Sequence, residues 1–338
     1  MWQEQWLEKE CAIGDLPLQC AAVLRDTRLR YLQRGQPNAP KDNIILLPTY
    51  YGGALADNIA LATGDSPLAD PHWCLLIPGM LGSGQSTSPC NATATQRGMA
   101  FPRLRLADQV HAQQRMIKQL FGDVRLALVA GWSLGGMQSL QWGCLYPQQV
   151  QRVAAWCSGV RCYPHNQLFL RGLQAALEAD PRCYSEQKAQ AGLRAFAYIY
   201  ASRAYGPAFL REQLYRALGH DSLQALLDDW QREHLVADQH NLLAVLDMWL
   251  HADISDNAHF HGNLSAALEA LSMPALMMAA RTDQYFLLEE MQADAAAIPA
   301  ARFAVLETEW GHCAGGPGRE PAAMRQLTSA LAELLARE

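Results

Sequence analysis

The segment Gly131-Trp132-Ser133-Leu134-Gly135 constrains this chain more than any other feature of its sequence. An apolar run at 125–130 precedes it, and a stretch with helical spacing at 136–144 follows it. Glycines on both sides of a serine let the backbone turn sharply between a strand and a helix, because no Cβ stands in the way. The serine hydroxyl then projects from the end of a strand, where a substrate carbonyl can reach it. The sequence therefore predicts a nucleophile elbow at Ser133.

A serine hydroxyl needs a base to take its proton and an acid to orient that base. Residues 273–280 have the pattern of a buried strand, which is soon followed by Asp283. Residues 301–306 predict another strand, and His312 follows it in a Gly-His pair. The order serine, acid, histidine along the chain is that of the α/β-hydrolases. We therefore predict that His312 is the base and Asp283 the acid.

Each of these residues also has a simpler explanation, because serine between glycines forms turns and aspartate after a strand often caps a helix. What favours catalysis is that all three occur in the right order, each at the end of a strand. Two other acids compete with Asp283 for this role. Asp294 lies in a helical stretch, and Glu307 precedes His312 too closely.

Acyl transfer also requires N–H donors directed at the oxyanion of the tetrahedral intermediate. One predicted donor is the backbone N–H of Leu134, the residue after the nucleophile, and the other is that of Tyr50 in the loop 48–53. This loop follows a predicted strand at 43–47. Tyr51 is predicted to line the site or to donate its hydroxyl, although simple packing of both tyrosines over the glycine turn is an equal alternative.

The order of elements predicts a mainly parallel, eight-stranded sheet with helices on both faces and an inserted helical cap. An opening hairpin is expected from strands at 21–24 and 29–32, and strand patterns then alternate with helical ones as far as residue 156. From about 160 to 270 the patterns are nearly all helical. We therefore predict a core domain at 1–159 and 271–338, and a cap at 160–270.

Composition excludes several other classes of protein. A formal charge of −6 and the absence of a basic run argue against nucleic-acid binding. The nine cysteines include no C-x-x-C pair, the first ten residues lack a signal peptide's apolar segment, and no apolar run is long enough to span a membrane, so a cytoplasmic protein is expected. No cofactor is expected either. A metal site is an alternative for one cluster of possible ligands, which consists of His251, Asp253, Asp256, His259 and His261. The spacing of these residues matches no zinc motif, which disfavours this alternative.

Four segments resemble the homoserine O-acetyltransferase family, and the resemblance spans nearly the whole chain including the cap. They are residues 131–142, 84–89, 101–110 and 310–312. The resemblance implies that an acetyl group moves from acetyl-CoA to serine and then to a hydroxyl acceptor, and that the protein is a homodimer that pairs through cap helices.

The residues that hold homoserine in that family do not carry over to this chain. The resemblance places an aspartate directly after the catalytic histidine, where this chain has Cys313. It also places an arginine on a cap helix at the position of Gln174, with Arg171 about one turn earlier. Loss of two charge-assisted contacts, each worth about 1.5–3 kcal/mol, makes homoserine a poor substrate. Gln174, Arg171, Cys313 and Tyr51 are nonetheless the predicted substrate-binding residues.

Two other segments, 48–52 and 311–316, are more similar to a sister group, the homoserine-acetyltransferase-like esterases, whereas Gly136-Met137-Gln138 has the transferase form. The prediction is a serine hydrolase with an acyl-enzyme intermediate, acting as a carboxylesterase on small short-chain esters. The alternative is an O-acyltransferase that uses acyl-CoA as co-substrate and a hydroxyl acceptor other than homoserine. A binding or scaffold protein with a vestigial site is a third possibility, which an intact triad disfavours.

Overall fold

A computed structural model describes residues 6–337 and contains one eight-stranded sheet. The strands lie in the order β1-β2-β4-β3-β5-β6-β7-β8. Strands β3 to β8 are parallel to one another, whereas β2 runs antiparallel to both β1 and β4. The predicted eight-stranded, mainly parallel sheet is confirmed. The strands are β1 (Leu7–Pro17), β2 (Val23–Arg34), β3 (Ile44–Leu46), β4 (Cys74–Pro78), β5 (Leu128–Trp132), β6 (Val153–Trp156), β7 (Ala275–Ala280) and β8 (Ala301–Leu306).

Residues 6–337 also contain ten α-helices. They are α1 (Leu106–Phe121), α2 (Leu134–Leu145), α3 (Pro164–Glu178), α4 (Gln190–Ala204), α5 (Pro207–Arg211), α6 (Leu223–Val236), α7 (Gln239–Leu250), α8 (Leu264–Ala270), α9 (Leu288–Ala297) and α10 (Pro321–Leu335).

The central strands are apolar on both faces, because helices cover both sides of the sheet. Alternate residues of β3 and of the position after it pack into two different hydrophobic clusters. Ile44 and Leu46 belong to the first cluster, and Ile45 and Leu47 belong to the second. Helices α1, α2 and α9 contribute to the first cluster, and α10 contributes to the second. Each buried leucine or isoleucine stabilises the fold by about 1.5–3 kcal/mol. The sheet is therefore a rigid base, whose strand ends carry the loops of the site.

Helices α3 to α8 all lie between β6 and β7, in the segment predicted to form the cap. Among them, α8 packs against α2, a helix of the core layer. The division into core and cap stays a prediction, and the outermost residues of the predicted core, 1–5 and 338, lie outside the described residues. No helix in the described part of the chain is long and apolar enough to cross a membrane.

The predicted opening hairpin is wrong in its boundaries. Both predicted strands, 21–24 and 29–32, fall largely within the single strand β2. Its partner is β1, which pairs with β2 from Leu7 opposite Gln33 to Pro17 opposite Val23. Strand β1 carries many exposed charged residues and so lacks the apolar signal of a strand. Asp26 has a positive φ of 47° and lies where the ladder changes register, between the pairs Gly14–Thr27 and Leu16–Leu24, so an irregularity within β2 has the composition of a turn.

Candidate active site

Ser133 occupies the turn between β5, which ends at Trp132, and α2, which begins at Leu134. Its φ of 55° and ψ of −128° are unfavourable for a residue with a side chain, so the surrounding structure must hold it there. The flanking glycines are required by space. A Cβ at Gly131 would lie 2.3 Å from the carbonyl carbon of Gly135, and a Cβ at Gly135 would lie 2.6 Å from the carbonyl oxygen of Pro48.

The structure brings Ser133, His312 and Asp283 into one hydrogen-bonded relay. The Ser133 Oγ lies 2.9 Å from His312 Nε2, and His312 Nδ1 lies 2.8 Å from Asp283 Oδ2. All three residues are 3–4% exposed. A carboxylate that accepts the Nδ1 proton leaves Nε2 as the acceptor for the serine proton, which is the tautomer that nucleophilic catalysis needs.

Backbone groups hold the acid of this relay in place. The second oxygen of Asp283, Oδ1, accepts hydrogen bonds from the N–H groups of Tyr285 at 2.7 Å and Phe286 at 3.1 Å. Asp283 is therefore fully paired and remains available to His312 as a hydrogen-bond acceptor.

The two competing acids have other partners. Asp294 accepts a hydrogen bond from Tyr163 and, at 3.2 Å, from the N–H of Val160, and burial raises the pKa of its carboxyl. Glu307 forms an ion pair with Arg281 at the surface. Neither carboxylate hydrogen-bonds to His312, whereas Asp283 does.

The segment that carries His312 fits closely against the rest of the molecule. Gly311 has a φ of 60°, and a Cβ there would lie 2.7 Å from the backbone nitrogen of Gly206. The Gly311 N–H donates to Thr282 Oγ1 at 3.1 Å, and that hydroxyl donates to the carbonyl of Thr308 at 3.0 Å. These contacts join the histidine loop to the loop of the acid, so the two residues keep a fixed separation.

The side chain of Gln138 connects the two segments that carry the predicted oxyanion donors, the N–H groups of Tyr50 and Leu134. Gln138 Nε2 donates to the carbonyl oxygen of Thr49 at 2.9 Å and to that of Leu134 at 3.2 Å. Among the described residues, neither the N–H of Tyr50 nor that of Leu134 has a hydrogen-bond acceptor. Two N–H groups without acceptors, on segments held against each other beside Ser133, are suited to bind an oxyanion.

A cavity of about 350 Å³ opens beside His312. Most of its wall is aromatic or apolar, a composition suited to a small organic substrate. Tyr50 and Tyr51 both line it, but their hydroxyls have partners: Tyr50 donates to Asp57 Oδ2 at 3.1 Å and Tyr51 donates to the carbonyl of Leu242 at 3.1 Å. Tyr51 therefore lines the site, and its hydroxyl is engaged elsewhere. The other rings of the wall belong to Trp132, Tyr200, Trp230, His234 and Tyr285.

Cys313, the residue after the histidine, also lines this cavity. It is 4% exposed, and burial raises the pKa of its thiol to about 11. At neutral pH the side chain is therefore a neutral thiol rather than the nucleophilic thiolate.

Two charged residues that line the cavity, Glu233 and Arg319, were not predicted from the sequence. Neither makes an ion pair or a side-chain hydrogen bond within residues 6–337. Burial raises the pKa of the Glu233 carboxyl. Glu233 comes from α6 and Arg319 from the segment after His312, and no motif links them in the sequence.

The prediction that Gln174 and Arg171 contact substrate is at odds with the structure. Neither residue lines the cavity beside His312. Gln174 donates to Glu178 Oε1 at 2.8 Å and lines a separate groove of about 300 Å³, and Arg171 is exposed. The physical reason is the orientation of α3, which buries the face that bears Leu170, Leu173 and Leu177, leaves Gln174 half-buried at the edge of that face and exposes Arg171.

The metal-binding alternative in the segment 251–261 finds no support in the structure. Within the part of the chain that the structure describes, no group of three or more His, Cys, Asp or Glu side chains is arranged to hold a metal ion. His251 instead lies 3.3 Å from Asp247, one helical turn earlier.

Comparison with known proteins gives concordant results. Residues 43–316 match the family model described as the alpha/beta hydrolase fold. The ethyl acetate hydrolase of Pseudomonas veronii is 31% identical over 330 residues, which cover 96% of this chain and 94% of that protein. The crystal structure of an acetylester hydrolase from Corynebacterium glutamicum has a TM-score of 0.93 and 29% identity, and covers 98% of this chain and 96% of that one.

A second group of relatives consists of transferases. The homoserine O-acetyltransferase of Chlorobium chlorochromatii is 28% identical over 312 residues, which cover 86% of this chain and 86% of that protein. The resemblance found in the sequence, to the homoserine O-acetyltransferases and to related esterases, is thus confirmed.

Proposed function

The chain belongs to the alpha/beta hydrolase fold family and is an enzyme, and on that premise we propose that it is a serine carboxylesterase acting on esters of acetate and other short acids. The observation that carries this proposal is the buried relay of Ser133, His312 and Asp283 beside an aromatic cavity of about 350 Å³. The names of the relatives, an ethyl acetate hydrolase and an acetylester hydrolase, support a small acyl group.

The proposed reaction proceeds through an acyl-enzyme. The Ser133 Oγ bonds to the carbonyl carbon of the ester while its proton passes to His312 Nε2, and the N–H groups of Tyr50 and Leu134 bind the oxyanion. The carbon–oxygen bond to the alcohol then breaks, and the alcohol leaves with the proton from His312. Water repeats the sequence: His312 takes its proton, the carboxylic acid leaves, and Ser133 regains its hydrogen.

The second candidate function is O-acyl transfer from acyl-CoA to a hydroxyl acceptor. Two observations favour it: the homoserine O-acetyltransferase relative, and Gly136-Met137-Gln138, which has the transferase form. Both functions share the acyl-enzyme and differ in the group that attacks it. Neither reaction requires a cofactor, apart from acyl-CoA as the co-substrate of the second.

The fate of the acyl group distinguishes the two functions. The enzyme is mixed separately with p-nitrophenyl acetate, ethyl acetate and acetyl-CoA, in buffer with and without an added alcohol. An esterase releases acetate continuously from both esters in plain buffer and leaves acetyl-CoA intact. Release of a single equivalent of nitrophenol that resumes only when alcohol is added would support the transferase instead. The Ser133→Ala variant corrects both measurements for uncatalysed hydrolysis.

The same proposal includes a cytoplasmic location and a homodimer that pairs through the cap. All nine cysteines are free thiols, which suits a reducing compartment. The helical segment 160–270 exposes several large apolar side chains, and Leu168 on α3 is 72% exposed. Sedimentation of the purified protein tests the dimer, and Leu168→Glu should shift it toward a monomer.

A further inference from the structure

Two aromatic rings stack on the His312 imidazole. The indole of Trp132 stacks on it with ring centroids 4.8 Å apart and 29° between the planes. The phenyl ring of Phe286 stacks on it at 5.7 Å and 28°. Tyr285 contacts it at 4.6 Å and a steeper angle of 51°. Hydrogen bonds at Nδ1 and Nε2 orient the ring within its plane, and the stacked rings fix the plane itself.

The two stacking residues come from the segments that carry the partners of His312. Trp132 is the last residue of β5 and directly precedes Ser133, and Phe286 follows Asp283 by three residues. The backbone N–H of Phe286 also donates to Asp283 Oδ1 at 3.1 Å. A displacement of either ring would therefore also disturb a hydrogen bond of the relay.

Both rings are themselves held by further contacts. The ring of Trp132 contacts that of Tyr50 edge-on, with centroids 4.4 Å apart. The indole also packs against Gly315, where a Cβ would lie 2.8 Å from Trp132 Nε1. Phe286 stacks on Trp249 of α7 at 5.9 Å and 17°. Aromatic contacts therefore run from Tyr50 through Trp132, the imidazole and Phe286 to Trp249 of α7, and they restrain both stacking rings.

We propose that Trp132 and Phe286 are positioning residues that hold the His312 imidazole in line with Ser133 and stabilise the imidazolium formed when the serine proton is transferred. The attraction of a cation to a ring face arises only after that transfer, so it favours the transition state over the bound substrate. Orientation adds to this effect, because a small misplacement of a catalytic group is costly in rate. The inference rests on the proposed nucleophilic role of Ser133.

The test measures the rate at which a fluorophosphonate labels Ser133. In that reaction the Ser133 Oγ–phosphorus bond forms, the phosphorus–fluorine bond breaks, and the serine proton passes to His312. Trp132→Leu and Phe286→Leu, which remove the ring faces, should each lower the labelling rate constant about tenfold. Trp132→Phe, which restores a ring face, should recover most of that loss. The final extent of labelling gives the fraction of folded enzyme and corrects for loss of protein.

Phe260→Leu is the matched control, because Phe260 is also buried and does not stack on His312. The proposal is overturned if the Trp132→Leu and Phe286→Leu enzymes label at rates within twofold of the wild type, or if Phe260→Leu slows labelling as much as they do. It is also overturned if Trp132→Phe labels no faster than Trp132→Leu. These outcomes are independent of the proposed esterase activity, which fails separately if a wild-type preparation that labels completely does not hydrolyse esters when assayed without the label.

Discussion

The two walls of the cavity are built in different ways. The wall formed by the strand ends includes Trp132 and His312, and behind it Ser133, His312 and Asp283 are joined in one relay and almost wholly buried. We call the other wall the cap wall, because it includes α6 from the segment predicted to form the cap, a helix of 14 residues that buries only Leu226 and His234. Val236, at the end of α6, is 82% exposed although it lines the cavity.

This difference separates chemistry from selectivity. A relay of short hydrogen bonds on a rigid sheet tolerates no change of geometry, because proton transfer depends on distances and tautomers. A largely exposed helix that presents rings and the unpaired charge of Glu233 to the cavity should accept substitutions at these positions without loss of the fold. Substitutions in the first wall should therefore lower the rate for every substrate, and those in the second should change the preference among substrates.

The largest effect is expected from Asp283→Asn. An amide at this position can donate to His312 Nδ1, which favours the tautomer that carries its proton on Nε2 and cannot accept the proton of Ser133. We expect kcat for p-nitrophenyl acetate to fall roughly 10³–10⁴-fold with little change in thermal stability. Asp294→Asn is the control, because this carboxylate binds Tyr163 and Val160 instead. A larger loss from Asp294→Asn would show that the acid is assigned wrongly.

A smaller effect is expected from Gln138→Met, which keeps the length of the side chain and removes its amide. The bonds of Nε2 to Thr49 and Leu134 would be lost, so the two oxyanion segments would no longer be tied together. We expect kcat to fall about tenfold, less than the 10²–10³-fold for deletion of a donor itself. Gln113 would also lose the acceptor at 2.7 Å for its buried amide.

The same variant therefore separates stability from catalysis. An unpaired buried amide costs about 1–3 kcal/mol of the free energy of unfolding, which urea denaturation measures. Gln141→Met is a matched control on the same helix, because Gln141 donates to the carbonyl of Ile254 at 2.9 Å and not to the oxyanion loop. If both variants lose kcat equally, Gln138 acts through the stability of α2 and not through the oxyanion site.

On the cap wall, Glu233→Gln should change selectivity rather than the general rate. Its carboxylate repels an anionic substrate, so its removal should raise kcat/KM for acetoxyacetate relative to ethyl acetate by about two- to fivefold at low salt. The gain should shrink in 1 M salt, because salt screens the repulsion that Glu233 exerts in the wild type. Glu212→Gln, an exposed glutamate outside the cavity, should leave the ratio unchanged. An equal change in both variants would indicate a general effect of net charge.

The difference between the two walls also explains why the relay residues could be predicted from the sequence and other residues of the site could not. Ser133, Asp283 and His312 each follow a strand, and they occur along the chain in the order typical of this fold. The sharp turn at Ser133 also requires glycines on both sides, which are visible in the sequence. Gln138 is different, because its role depends on the carbonyls of Thr49 and Leu134, which come together only in the folded chain.

Residues of the cap wall leave no such signal. Glu233 on α6 faces the cavity because of how that helix docks, and helical periodicity does not tell which neighbour a helix meets. The same limit applies at Gln174. Its spacing from an Ala-Asp-Pro turn matches a known family, but the structure places it at the edge of the buried face of α3, beside Glu178 and a separate groove.

The smallest effect is expected from Gln174→Ala. Its amide contacts Glu178 on its own helix and lines a groove separate from the cavity, so KM and kcat for ethyl acetate should stay within twofold of the wild type. Cys313→Ser supplies the contrast, because this buried thiol lines the cavity beside His312, and a change of one atom there should alter KM more. A larger effect from Gln174→Ala than from Cys313→Ser would mean that substrate enters over α3. The groove beside that helix would then belong to the binding site, and the two walls would not divide chemistry from selectivity as the cavity indicates.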